Sequence, residues 1–259
     1  MKSRINGNKL AYDLLGEAGP PLVLIHGFGL NRGIWRAMAT DFLADYQVIL
    51  PDVRGHGESD APEGAYPMAL LADDLAGLLD HLDIDRAVVC GHSMGGYIAL
   101  ALAAQHPERL AGLGLITSRA EADSAKKKEG RVRLAETVRA QGSSALAETL
   151  APRLSHDPAV VKMAYALIAA TPPAGIIGAA LGMAERPDRT ALMARLKVPA
   201  LVVAGQEDQI VPLDDARHLA EGLEKGMLVE IPDAGHSPML EQPQLLAEAL
   251  VDFLSLCYK

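Results

Sequence analysis

Cysteine, aromatic side chains, basic charge and long apolar runs are all scarce in this chain. Of 259 residues, two are cysteine, Cys90 and Cys257, and their spacing matches no metal site. A pair of free thiols suits a reducing compartment. Aromatics make up 4% of the residues, so aliphatic side chains must fill the core. No apolar run reaches the length needed to span a bilayer, and Met1 to Gly7 lacks the apolar centre of a signal peptide. The expectation is a soluble, cytoplasmic protein with no membrane partner. There are 24 Lys and Arg residues against 33 Asp and Glu, for a formal net charge of -9. A nucleic-acid partner calls for a basic face, so none is expected. The one basic cluster, Lys126-Lys127-Lys128, lies between Asp123 and Glu129 and reads as a solvated helix face. Internal repeats and low-complexity linkers are also lacking.

Apolar residues make up 49% of the chain, enough for one sizeable core. Lys2 to Ile5 and Leu10 to Leu15 read as an antiparallel start around Asn6-Gly7-Asn8. Short apolar strands follow at Leu22 to Ile25, Gln47 to Leu50, Ala87 to Val89, Leu113 to Ile116, Ala200 to Ala204 and Met227 to Ile231. Helical periodicity separates them at Ile34 to Phe42, Met68 to Leu82, Tyr97 to Ala104, Asp214 to Leu223 and Gln244 to Leu256. This alternation predicts an α/β fold, a mostly parallel twisted sheet with helices on both faces. Between Arg119 and Arg189 no strand pattern appears. Gly142, Pro152, Pro158, Pro172, Pro173 and Pro187 divide that stretch into what reads as several short helices. The expected division is a core of residues 1–118 and 190–259 with a helical cap of 119–189.

The chemistry centres on Cys90-Gly91-His92-Ser93-Met94-Gly95-Gly96. A Gly-x-Ser-x-Gly between a buried strand and a buried helix places the serine on a strained corner at the top of the sheet. A serine hydroxyl needs a base, and the base needs an orienting acid. Asp208 follows the strand Ala200 to Ala204, and His236 follows the last strand in Pro232-Asp233-Ala234-Gly235-His236. His218 lies within a predicted helix and cannot swing over the sheet edge; Glu207 reads as solvated. Ser93, Asp208 and His236 are therefore the candidate nucleophile, acid and base. The backbone N–H groups of Met94 and of Phe28, in the loop His26-Gly27-Phe28-Gly29, are the candidate oxyanion donors. No metal and no cofactor is expected.

These residues carry a resemblance. The chain resembles the α/β-hydrolase superfamily, in the branch of small cofactor-free esterases and enol-lactonases. The matching pieces are His26-Gly27-Phe28-Gly29, Asp52 to Ser59, Gly91 to Gly96, Gly205 to Asp208 with Val211-Pro212, and Gly235-His236-Ser237 with Glu241-Gln242-Pro243. They occur in the expected order over nearly the whole chain. Dehalogenases and epoxide hydrolases of similar pattern carry an aspartate where Ser93 stands, which argues against both. The Gly27-Phe28-Gly29 loop also differs from the Gly-Gly-Gly type, and so implies poor activity on tertiary-alcohol esters.

The resemblance implies hydrolysis of a small-molecule carboxylic ester, with a small to medium acyl group, through an acyl-enzyme on Ser93. Enol-lactone, carbon–carbon bond and thioester hydrolysis, and cofactor-free haloperoxidase or perhydrolase activity, use the same triad and stay open. So does a lyase, and so does a slow-turnover ligand sensor or stress-signalling protein. His26, His56 and His92 read as structural, and Arg54 as a loop anchor. Trp35 fits core packing or a pocket wall, and Met239 likewise reads as packing or as a possible pocket wall. The many Ala, Leu and Met residues suggest an apolar pocket. The oligomeric state cannot be read from the sequence.

Overall fold

A computed structural model describes residues 1–16, 18–223 and 226–259. It opens with a hairpin of β1 (Lys2–Ile5) and β2 (Asn8–Leu15), paired from Ile5 against Asn8 to Lys2 against Ala11. Asn6 and Gly7 both take positive φ, 46° and 82°. That is the primed turn whose twist matches two antiparallel strands. The chain continues through β3 (Pro21–Ile25), α1 (Gly33–Phe42), β4 (Gln47–Pro51), α2 (Met68–His81), β5 (Ala87–His92), α3 (Met94–Gln105) and β6 (Leu110–Ile116). Four consecutive long helices follow: α4 (Ala125–Gln141), α5 (Ser144–Leu154), α6 (Pro158–Ala170) and α7 (Pro173–Ala184). The chain then returns to α8 (Thr190–Met193), β7 (Ala200–Gly205), α9 (Leu213–Glu221), β8 (Gly226–Ile231), α10 (Pro238–Glu241) and α11 (Pro243–Cys257).

Among the described residues the sheet has eight strands in the order β1-β2-β4-β3-β5-β6-β7-β8. β1, β2 and β4 pair antiparallel, and every pairing from β4 through β3 to β8 is parallel. β5, β6 and β7 are buried along their whole lengths. A parallel strand covered on both faces has no polar side, so Ala87-Val88-Val89-Cys90 and its neighbours read as continuous apolar runs. The helix α3 buries ten residues, Met94 to Ala103, and is apolar all round for the same reason. Strand order reverses at β3, which has β4 on one side and β5 on the other. A crevice at the carboxyl ends of strands flanking such a reversal is where open α/β sheets bind ligands.

The region between β6 and β7 is helical, but its helices are not all short: α4 runs for 17 residues. Of the expected breakpoints, Gly142 ends α4 with φ of 79°, Pro158 begins α6 and Pro173 begins α7. Pro152 does not break a helix. It lies inside α5, in the last turn, where it removes one hydrogen bond of the ladder with only Arg153 and Leu154 left to follow it in the helix. The helix α7 rests on the loop before α2 through a face of small residues. A Cβ on Gly175 would strike the Gly55 carbonyl, and one on Gly182 would strike that of Tyr66. The Tyr66 N–H donates to the Gly178 carbonyl at 2.8 Å. Backbone against backbone, this contact needs glycine. No single described helix is long and apolar enough to cross a membrane.

Candidate active site

Ser93 is the one residue between β5 and α3, and its backbone takes φ 52° and ψ -113°. That conformation is strained for a residue with a Cβ, and the surroundings hold it there. A Cβ on Gly91 would run into the Gly95 backbone, and a Cβ on Gly95 would come within 2.5 Å of the Ile25 carbonyl. Only glycines let strand, corner and helix approach this closely. Ser118 Oγ donates to the Ser93 carbonyl at 2.7 Å, and the Ser93 N–H donates to the Ile116 carbonyl at 2.9 Å.

Asp208 lies three residues past β7 and His236 five past β8. His236 Nδ1–H donates to Asp208 Oδ2 at 2.8 Å, and both side chains are 1% exposed. The other carboxylate oxygen of Asp208 accepts from the N–H groups of Ile210 (2.7 Å) and Val211 (3.0 Å). Two backbone donors thus fix the acid in the rotamer that meets the imidazole. Glu207 is exposed, and His218 faces solvent from α9 with its ring bonded to the Asp214 carbonyl.

The loop carrying His236 is braced from three directions. His92 Nε2–H donates to the His236 carbonyl at 2.8 Å, and Thr117 Oγ–H donates to the same oxygen at 3.0 Å. The Glu241 carboxylate accepts from the N–H of Gly235 (3.0 Å) and of Ser237 (3.1 Å), the residues on either side of the histidine. Its second oxygen accepts from Ser155 Oγ–H at 2.6 Å. Ser155 belongs to the helical region, just after α5, so one carboxylate ties that region to the histidine loop. Thr171, at the end of α6, makes a matching tie on the other side, donating from Oγ to the Gly29 carbonyl at 2.9 Å. Glu241 was visible in the sequence only as part of a motif. Its partner Ser155 is 86 residues away, and no local spacing announces the pair.

The Gly27-Phe28 backbone lies against the serine corner. A Cβ on Gly27 would be 2.6 Å from His92 Nδ1 and 3.4 Å from Ser93 Cβ. Met94 is the first residue of α3, where helix N–H groups have no partner within the helix. The surrounding histidines are buried and structural. The Val53 N–H donates to His26 Nε2 (3.1 Å), and His56 Nδ1–H donates to the Arg54 carbonyl (3.1 Å). Burial pushes His26 down to about 4 and His56 down to about 3, and holds His92 well below the ordinary imidazole value. Arg54 is a loop anchor, donating from Nε (2.8 Å) and Nη2 (2.7 Å) to Asp74. Among the described residues, no three His, Cys, Asp or Glu side chains are placed to share one metal ion.

Ser93 and His236 open into one cavity of about 310 Å³, to which Phe28 also contributes. Leu30, Leu134, Leu150, Leu154, Met183 and Ile210 supply apolar wall. Trp35 and Met239, which the sequence left open between core and wall, are not among the residues lining it. Trp35 is fully buried in the core, edge-on to the His92 ring at 6.4 Å, because the apolar stripe of α1 turns it inward. Met239 is buried in α10, behind the histidine loop. The expected apolar lining is also incomplete: Arg119, Asp123, Lys127, Arg131 and Arg153 share the cavity. Lys127 comes from the tri-lysine run; all three lysines are exposed, and among them Lys127 lines the cavity.

A strained serine corner, a buried Asp–His pair and glycine-lined strand ends on a parallel sheet define a hydrolase site of the nucleophile-elbow type. The chain belongs to the alpha/beta hydrolase fold family, whose model matches residues 20–243. Among its relatives, 3-oxoadipate enol-lactonase 2 of Acinetobacter baylyi is 33% identical over 248 residues, covering 93% of this chain and 91% of that protein. A thermophilic esterase from Thermogutta terrifontis, solved with malate bound, is 40% identical. It superposes with a TM-score of 0.96 over 100% of this chain and 99% of that one. The enol-lactonase of Burkholderia xenovorans LB400 is 31% identical, with a TM-score of 0.91 over 98% of this chain and 100% of its own.

Proposed function

We propose that the protein hydrolyses carboxylic esters through an acyl-enzyme on Ser93, with residues 119–189 acting as a cap over the site. The Asp208–His236 pair at 2.8 Å, opening beside the strained Ser93 into one cavity, is the observation that supports this most. With Nδ1–H committed to Asp208, His236 keeps Nε2 as the free base. It takes the Ser93 proton as Oγ attacks the acyl carbonyl, and returns it to the leaving alcohol. The Phe28 and Met94 N–H groups hold the developing oxyanion, each worth on the order of 10²–10³ in rate. Water, deprotonated by His236, then releases the acid. The two free thiols, Cys90 and Cys257, are consistent with a cytoplasmic setting.

A second reading, enol-lactone hydrolysis, is favoured by the two enol-lactonase relatives at 33% and 31% identity. The site's chemistry is the same for both, so rates on a panel of p-nitrophenyl esters and lactones decide between them. Steady turnover of p-nitrophenyl butyrate supports the hydrolase. A single burst followed by a stable acyl-protein contradicts it, and points to a sensor.

A further inference from the structure

In a chain with a formal net charge of -9, four cationic side chains line the Ser93 cavity and, among the described residues, a single carboxylate, Asp123, lines it with them. Two of the four have structural partners. Arg131 Nε is 3.2 Å from Asp123, which Arg186 also grips at 2.8 Å. Burial pushes the Asp123 carboxyl up, but Arg131 and Arg186 outweigh it and hold the group below its ordinary value. Asp123 is thus already shared between two guanidinium groups. Arg119 pairs with Asp215 at 3.3 Å and donates to the Ile210 carbonyl.

Lys127 and Arg153 are different. Among the described residues neither forms an ion pair, and Arg153 reaches only the Gln209 carbonyl, at 3.4 Å. Both are exposed while lining the cavity, which puts them on its solvent side. Burial first, and then Arg119 and Arg186, hold the Lys127 ammonium below the ordinary lysine value against the opposing pull of Asp123 and Asp215. The two arise on different helices, α4 and α5, and share one opening. Positive charge gathered at a cleft without matching carboxylates concentrates anions there.

We propose that Lys127 and Arg153 form an anion subsite at the mouth of the Ser93 cavity, and that the substrate is an ester or lactone carrying a carboxylate. This rests on the ester-hydrolysis reading of the site. A volume of about 310 Å³ is at the small end of ligand sites, so a few carbons separate the acid from the ester carbonyl. The apolar walls of Leu134, Leu150 and Leu154 suit that short chain. A half-ester of a dicarboxylic acid has this form.

The test compares monomethyl glutarate with methyl 5-methylhexanoate, in which an isopropyl group replaces the carboxylate at similar shape. The expected kcat/KM ratio favours the half-ester by about tenfold or more, as for a charge-assisted contact. It should fall towards one in 0.5 M salt and in the double variant Lys127→Met, Arg153→Met. A ratio near one in the natural protein, or a preference that survives the double variant, overturns the subsite. Turnover of p-nitrophenyl butyrate with no turnover of the half-ester also overturns it, and leaves the ester reading standing. If no ester is cleaved, the hydrolase reading fails on its own. Calorimetry of glutarate binding to Ser93→Ala then decides the subsite: binding lost on adding the double substitution supports it, and absence of binding refutes it.

Discussion

Ser93, Asp208 and His236 stand one, three and five residues beyond the ends of β5, β7 and β8, whereas Lys127, Arg131 and Arg153 project from helices α4 and α5. The first group is fixed by backbone. Glycines bring Gly95 against Ile25 and Ser93 against Gly27, and paired N–H groups clamp Asp208. The second group is long and partly solvated; Arg131 is held by Asp123, while among the described residues Lys127 and Arg153 form no ion pair. On the proposed reading, reaction type belongs to the sheet edge, where displacements are resisted by packed main chain. On the same reading, choice of substrate belongs to the helices, where one side-chain replacement changes charge without disturbing a strand. Ser155–Glu241 and Thr171–Gly29 are two of the hydrogen bonds that tie the two regions together.

Substitutions at the sheet edge should have the largest effects. Ser93→Ala is expected to lower kcat by about 10⁶ while leaving the melting temperature nearly unchanged; retained esterase activity would break the assignment. Asp208→Asn should lower kcat by about 10⁴, since an amide no longer selects the imidazole tautomer. If Glu207→Gln does so instead, the acid is misassigned. Glu241→Gln sharpens the comparison, because it touches the tie and neither region's reactive groups. Loss of its charged contacts to Gly235 and Ser237 should lower kcat about tenfold with little change in KM. A fall in melting temperature without a fall in kcat would make Glu241 merely structural.

The smallest of these effects is on pH-dependent stability. His26 and His56 are neutral in the fold, at about 4 and about 3, against 6.5 for an unperturbed imidazole. Below pH 6.5 the unfolded chain binds more protons at these sites than the folded one does. Stability should therefore be full above that point and decline as pH falls towards 4. A melting temperature that holds steady from pH 7 to pH 4 would contradict the buried, neutral assignment.

Much of the sheet region was legible in the sequence because its signals are local. A strand, a Gly-x-Ser-x-Gly and an apolar helix stand next to one another, and the strands before Asp208 and His236 are short apolar runs. The helical region carries no comparable signal. Its small-residue face at Gly175, Gly178 and Gly182 makes sense only against the distant loop of Gly55 to Tyr66. Lys127 looked no different from Lys126 and Lys128, since three consecutive residues on a helix point in three directions and only packing decides which one meets the cavity. Trp35 stays open between core and pocket in the sequence for the related reason that a lone tryptophan fits both equally well until its neighbours are known.

The central claim is that Ser93 is the nucleophile and that Asp208 and His236 activate it. It is tested most directly by reacting the protein with a p-nitrophenyl alkylphosphonate and mapping the adduct by mass spectrometry. One phosphonyl group on the peptide containing Ser93, formed much more slowly in Asp208→Asn, is the expected result. An adduct on another residue, or no adduct in a preparation that turns over p-nitrophenyl butyrate, would contradict it.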